Sequence, residues 1–140
     1  MNEKVSLIKL MRENRFELAE VLACYDGNKD LEFDPDEHDL EGISALEYAI
    51  VYGKEAIAIA LLEKHHCKFD YNHNEGNRPS PIGLAIKFRR HNVLAKMIEL
   101  RSEILKVKPL FLHNLVYGDI RLLPYAVMCG NIRAMNMLLD

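Results

Sequence analysis

The chain has 140 residues with 18 Lys and Arg against 21 Asp and Glu, a formal net charge of −3. That balance excludes a general electrostatic attraction for nucleic acid, which needs a basic face. No stretch approaches the ~20 apolar residues of a membrane span, and Met1-Asn-Glu-Lys-Val-Ser6 lacks the apolar core of a signal peptide.

The first predicted elements lie within residues 5–23. Leu7, Leu10 and Met11 fall on one face of a helix, and Leu18, Val21 and Leu22 on one face of a second. Between them stands Asn14, which tolerates a left-handed backbone better than most residues. Lys9, Arg12, Glu13, Glu17 and Glu20 give this pair a charged coat. Cys24 ends the apolar run and reads as a small core hydrophobe. With Cys67 and Cys129 it makes an odd set of three at no disulfide-framework spacing, so the expected setting is the reducing cytoplasm.

Residues 26–37 resemble an EF-hand loop. Asp26, Asn28, Asp30 and Glu37 stand at its ligand positions 1, 3, 5 and 12, but Leu31 occupies the place where the sharp turn needs glycine. The expectation is an acidic, turn-rich insertion with no calcium, although Asp34-Pro35 also has the chemistry of a helix start.

Ser44 and Glu47 form a capping box ahead of Leu46, Ala49 and Ile50. Gly53 supplies the reversal at the helix end, and Ile57, Ala58, Ala60 and Leu61 line a following helix that closes on Leu61-Leu62. His65-His66-Cys67, with His73, offers zinc ligands in no tetrahedral spacing. A histidine there is expected to cap helix carbonyls. Cys67 beside His66 is a formal nucleophile–base pair, but adjacent side chains rarely point together.

The pattern returns twice. Ser80-Pro81 starts a helix with Ile82, Ala85 and Ile86, followed by Val93, Leu94, Met97 and Ile98. Later come Ala126, Gly130, Ile132 and Leu138-Leu139. Ala49, Ala85 and Ala126 are equivalent, 36 and 41 residues apart. Lys87-Phe88-Arg89-Arg90-His91 is a lone basic cluster that reads as a solvated helix end. In the long connection at 101–118, Leu110-Phe111-Leu112 suggests a short extra helix. A period of this length marks a repeat architecture, whose units bury their apolar faces only against one another.

Gly42-Ile-Ser-Ala-Leu-Glu-Tyr-Ala-Ile-Val-Tyr-Gly53, running on to Leu61-Leu62, resembles the ankyrin repeat. Residues 78–100 depart from the family with Arg89 at its second glycine, and 119–139 with Arg121 at the capping position. The resemblance implies an all-α fold, an ankyrin-like helical-hairpin solenoid of about four units. These span roughly 3–25, 42–66, 78–100 and 119–140 within one domain. The last unit shows no polar outer face, which suggests the N-terminal part of a longer protein.

The resemblance also implies function, namely capture of a partner protein in a concave groove. By register the groove takes Val51 and Tyr52, Lys87 and Phe88, and Met128 and Cys129. The finger positions add Glu41 and Ile43, Asn77 and Pro79, and Tyr117 and Ile120. Aromatic anchors within a polar rim suit such an interface. A monomer with no cofactor, nucleic acid or membrane as partner is expected. No Gly-x-Ser-x-Gly, Walker or Rossmann motif occurs, so catalysis is not expected of this chain. Two other readings stand beside this one. The chain could recruit substrate for a larger enzyme or for a bacterial effector delivered to host cells, or it could sense calcium through 26–37.

Overall fold

The computed structural model describes residues 3–25, 31–69, 79–105, 115–117 and 120–139. The described elements are mainly helical and fall into two compact units, Met1–Lys68 and Phe69–Asp140.

In the first unit, helix α1 (Leu7–Arg12) packs on α2 (Phe16–Cys24), and α3 (Ala45–Tyr52) packs on α4 (Glu55–Glu63). The two pairs stack, α1 against α3 and α2 against α4. Strands β1 (Glu3–Lys4) and β2 (Leu31–Glu32) run parallel, Glu3 opposite Leu31. Part of the acidic insertion is therefore extended.

The second unit repeats the plan. Helix α5 (Pro81–Lys87) packs on α6 (His91–Leu105) and α7 (Leu122–Met128) on α8 (Ile132–Leu139), with α5 against α7 and α6 against α8. Strands β3 (Leu115–Tyr117) and β4 (Ile120–Arg121) form an antiparallel hairpin ahead of α7, Tyr117 opposite Ile120.

The turn inside each pair is the same in all four. Asn14, Gly53, Arg89 and Gly130 have φ of 62°, 76°, 61° and 66°. The next residue donates back into the first helix each time: Arg15 N–H to Leu10, Lys54 to Ala49, Arg90 to Ala85 and Asn131 to Ala126, at 2.8, 2.8, 2.8 and 3.0 Å. This left-handed closure satisfies carbonyls that a helix end would otherwise leave open.

The caps form as the sequence implied. Ser44 Oγ accepts from Glu47 N–H while Glu47 Oε2 accepts from Ser44 N–H, and Ser80 Oγ accepts from Gly83 N–H with Pro81 following. The core holds Leu7, Met11, Leu46, Ile50, Ile57 and Leu61 in the first unit. Ile86, Leu94, Met97, Leu122 and Leu138 fill it in the second.

Five local expectations are corrected. Val21 is exposed, because the buried face of α2 runs through Ala19, Leu22 and Ala23 and puts Val21 on its rim. Ile132 and Leu139 are exposed, and Ile98 is only half-buried. Asp34-Pro35 starts no helix, because Asp34 Oδ1 accepts the Asp36 N–H at 2.9 Å and closes a local turn instead. The segment 110–112 lies outside the described residues.

Candidate functional site

Between α3 and the strand before it the chain makes a tight hairpin. His38 and Ser44 bridge, Asp39 N–H donates to Ile43 O, and Gly42 N–H to Asp39 O, both at 3.0 Å. Gly42 sits at φ 81°, where a side chain would be strained. The Asp39 carboxylate holds the loop from inside. Its Oδ1 accepts from Glu41 N–H at 2.9 Å and Ile43 N–H at 3.0 Å, and its Oδ2 from the Tyr48 hydroxyl at 2.5 Å.

The electrostatics follow from that geometry. Burial alone would raise the Asp39 carboxyl, but the bonds from Tyr48, Ile43 and Glu41 and the charge of Arg12 outweigh it and hold it below its usual value. The Tyr48 hydroxyl is pushed up to about 12, first by burial and then by its bond to the Asp39 anion. Hairpin and helix are thus fastened by a charge-assisted bond.

This hairpin forms one wall of a cleft of about 750 Å³. Ile8, Lys9 and Arg12 of α1, with Glu13 just past its end, line the other wall, and Tyr48 of α3 lies between. Ser6 and Glu37 close one end, the Ser6 hydroxyl donating to Glu37 Oε1. Leu40 stands at the hairpin tip with a relative exposure of 107%. From Tyr48 an aromatic row continues along α3. Tyr52 stacks on Tyr48 with centroids 6.0 Å apart and meets the edge of Phe16 at 5.5 Å. Lys54 Nζ lies 4.4 Å from the Phe16 centroid, a cation–π contact.

Among the residues expected from the sequence, Glu41 lines this cleft and is exposed. Ile43 is half-buried and fixed by Asp39. Val51 and Tyr52 are exposed at 41% and 42%. In the second unit Lys87 and Met128 are exposed, while Phe88 and Cys129 are half-covered and Lys87 Nζ lies 5.7 Å from the Phe88 centroid. Asn77 lies outside the described residues, as do Asp26, Asn28 and Asp30 of the calcium-like loop. Pro79 is buried, and Tyr117 and Ile120 are placed by backbone only. Sequence reasoning missed Leu40, Arg12, Asp39 and Tyr48. Asp39 had a legible signal, as an Asp three residues before a glycine in a turn.

The histidine cluster has a structural use. His65 Nε2 lies 2.8 Å from Ala23 O, and Lys64 Nζ donates to Cys24 O, so both close the carbonyl end of α2 rather than of their own helix. His65 also meets the edge of Phe33 at 4.7 Å. Cys67 is buried, and burial, with the Asp36 charge adding to it, pushes its thiol up to about 12. That shift is opposite in sign to the one a nucleophilic thiolate needs. Among the described residues no three His, Cys, Asp or Glu side chains are grouped to hold a metal, and no helix is long and apolar enough to cross a membrane.

Comparison with protein-family models, with curated proteins and with solved structures gave no match.

Proposed function

We propose that the chain is an ankyrin-like array of helix pairs that captures a protein partner. In the first unit the contact is made by the cleft of α1, α3 and the hairpin at 38–44. The carrying observation is that cleft, walled by charged side chains, with a fully projecting Leu40 at its lip and the Tyr48–Tyr52–Phe16 row leading from it. Small-molecule pockets are enclosed and mostly apolar. An open, charged cleft with aromatic and aliphatic anchors at its edge suits a polypeptide surface, where a few such side chains dominate the energy.

The two positions before each left-handed turn support the same reading. Arg12 and Glu13, Val51 and Tyr52, Lys87 and Phe88, and Met128 and Cys129 are all exposed or half-covered. The resemblance assigns this position to recognition. Three free thiols, Cys24, Cys67 and Cys129, agree with a cytoplasmic site of action.

The test is site-resolved photo-crosslinking in cells, with the reactive residue placed at Leu40, Val51 or Glu63. Leu40 and Val51 should crosslink to the same discrete protein, and Glu63 of α4 should not. Leu40→Asp should abolish capture of that protein with no change in melting temperature, since Leu40 buries nothing in the free chain. Equal crosslinking at Glu63, or capture indifferent to Leu40→Asp, would reject this surface.

A further inference from the structure

Charge is segregated along this chain. Met1–Lys68 carries 15 Asp and Glu against 8 Lys and Arg, a formal −7, whereas Phe69–Asp140 carries 6 against 10. The whole-chain value of −3 hides that split. In the first unit the cleft follows the acidic excess. Its lining sets the carboxylates of Glu13, Glu37, Asp39 and Glu41 against the two cations Lys9 and Arg12. Arg12 acts on Asp39, whose carboxyl its charge helps to hold down. Glu37 takes a neutral partner, the Ser6 hydroxyl, and Glu13 and Glu41 are exposed on opposite walls.

The repeat register sets an aromatic ring beside this negative wall. Glu13 and Tyr52 immediately precede the left-handed turns at Asn14 and Gly53, so they occupy the same place in two stacked helix pairs. Tyr52 is the exposed member of its row, Phe16 and Tyr48 being half-buried. That row already receives one cation from this chain, Lys54 over Phe16. A carboxylate next to an open ring attracts an ammonium or guanidinium twice, by ion pairing and by the negative face of the ring.

We infer that the partner segment seated in this cleft is basic. A Lys or Arg of the partner meets Glu13 and Tyr52, and the hairpin tip, Glu41 beside Leu40, takes a further cation next to an apolar side chain. This rests on the cleft being the partner's seat and adds what the partner must carry. An acidic segment would approach a unit of its own sign and be turned away. Exposed charge pairs contribute little each, so the excess acts on encounter rate and on the exclusion of wrong partners, and salt weakens it.

The test selects a displayed library of short random peptides on the intact chain at low salt, and titrates the isolated peptides by fluorescence anisotropy. Peptides that need Leu40, losing binding to Leu40→Ser, should be rich in Lys and Arg and should weaken as salt rises. Glu13→Gln combined with Glu41→Gln, checked for an unchanged melt, should weaken them about tenfold. Tyr52→Leu should weaken them about threefold. Glu63→Gln on α4 should bind them like the parent. Leu40-dependent peptides with no basic excess, or indifferent to the two glutamines, overturn the inference and leave the cleft as the partner's seat. Basic peptides that ignore Leu40→Ser report a general attraction to an acidic unit and overturn it too. A dimer in sedimentation that the two glutamines abolish gives the cleft to a second copy, which also overturns it. If no peptide needs Leu40, the cleft reading falls and this inference falls with it.

Discussion

The two units hold the same backbone plan with different side chains. In Met1–Lys68 a loop carboxylate, Asp39, ties the hairpin to Tyr48 of α3, and the Ser44–Glu47 box starts the helix. In Phe69–Asp140 one fully buried amide does the joining. Asn131 Nδ2 donates to Ile86 O at 2.9 Å, and its Oδ1 accepts from Ala134 N–H and faces His91 Nε2, both at 3.0 Å. The turns differ too, with glycine at Gly53 and Gly130 but a strained arginine at Arg89. The comparison teaches that the turn and its backbone bonds define the repeat. The polar groups that secure it are local solutions.

The largest expected effect tests the packing that both units share. Leu61→Ala, in a fully buried site on α4, should cost about 2–5 kcal/mol. Leu138→Ala, at the equivalent position on α8, should fall at the low end of that range, because Ile132 and Leu139 of the same helix are exposed and leave α8 freer to relax around the gap. Equal losses in denaturant melts would break the comparison.

Asn131→Ala sharpens it. The change leaves the Ala134 N–H without its partner in a buried site and the Ile86 carbonyl with only the longer bond from Arg89 N–H at 3.3 Å, which should cost about 1–3 kcal/mol. The equivalent residue in the first unit, Lys54, is not buried, and Lys54→Ala should cost well under that in the same melt.

Smaller effects come from the turns. Beyond its own chain neighbours nothing lies within 4 Å of where a Gly130 side chain would start, so Gly130→Ala reports the left-handed backbone alone, about 1–2 kcal/mol. Arg89→Ala already bears that strain and loses only the exposed bond from Arg89 Nη2 to Cys129 O at 3.2 Å, about 0.5 kcal/mol.

The smallest is a pH effect confined to the first unit. Because the Asp39 carboxyl titrates lower in the fold than its ordinary 3.8, its contribution is complete above that value and is lost as pH falls through the folded value. Tyr48, raised to about 12, contributes fully below its ordinary 10 and loses that contribution as pH rises through 12. Asp39→Asn should therefore lower the melting temperature at neutral pH and flatten its fall below pH 4. An unchanged acid limb would show that the pin carries no weight.

Much of this fold was legible because caps and apolar spacing are local. Ser44, Glu47, Ser80, Pro81, Gly53 and Gly130 announce helix ends within a few residues, and the structure has them in those roles. Val21 was misread because spacing alone cannot tell which of two overlapping apolar stripes, Leu18–Val21 or Ala19–Ala23, meets a neighbour. Asn131 was missed because its partner Ile86 lies 45 residues away. The candidate surface was legible only by register. Val51 and Tyr52 could be named, but Leu40 and the Asp39–Tyr48 pin depend on a hairpin that no periodicity reveals.

The central claim is that one helix–turn–helix element, closed by one backbone bond, occurs four times. Amide hydrogen exchange followed by NMR measures that bond directly. The amides of Arg15, Lys54, Arg90 and Asn131 should all be protected, each donating into the helix before its turn, while the amide of Leu40 at the hairpin tip should exchange near the unstructured rate. Fast exchange at any of the four under conditions where Leu61 remains protected would contradict the account, because that pair would then lack the closure on which the repeat rests.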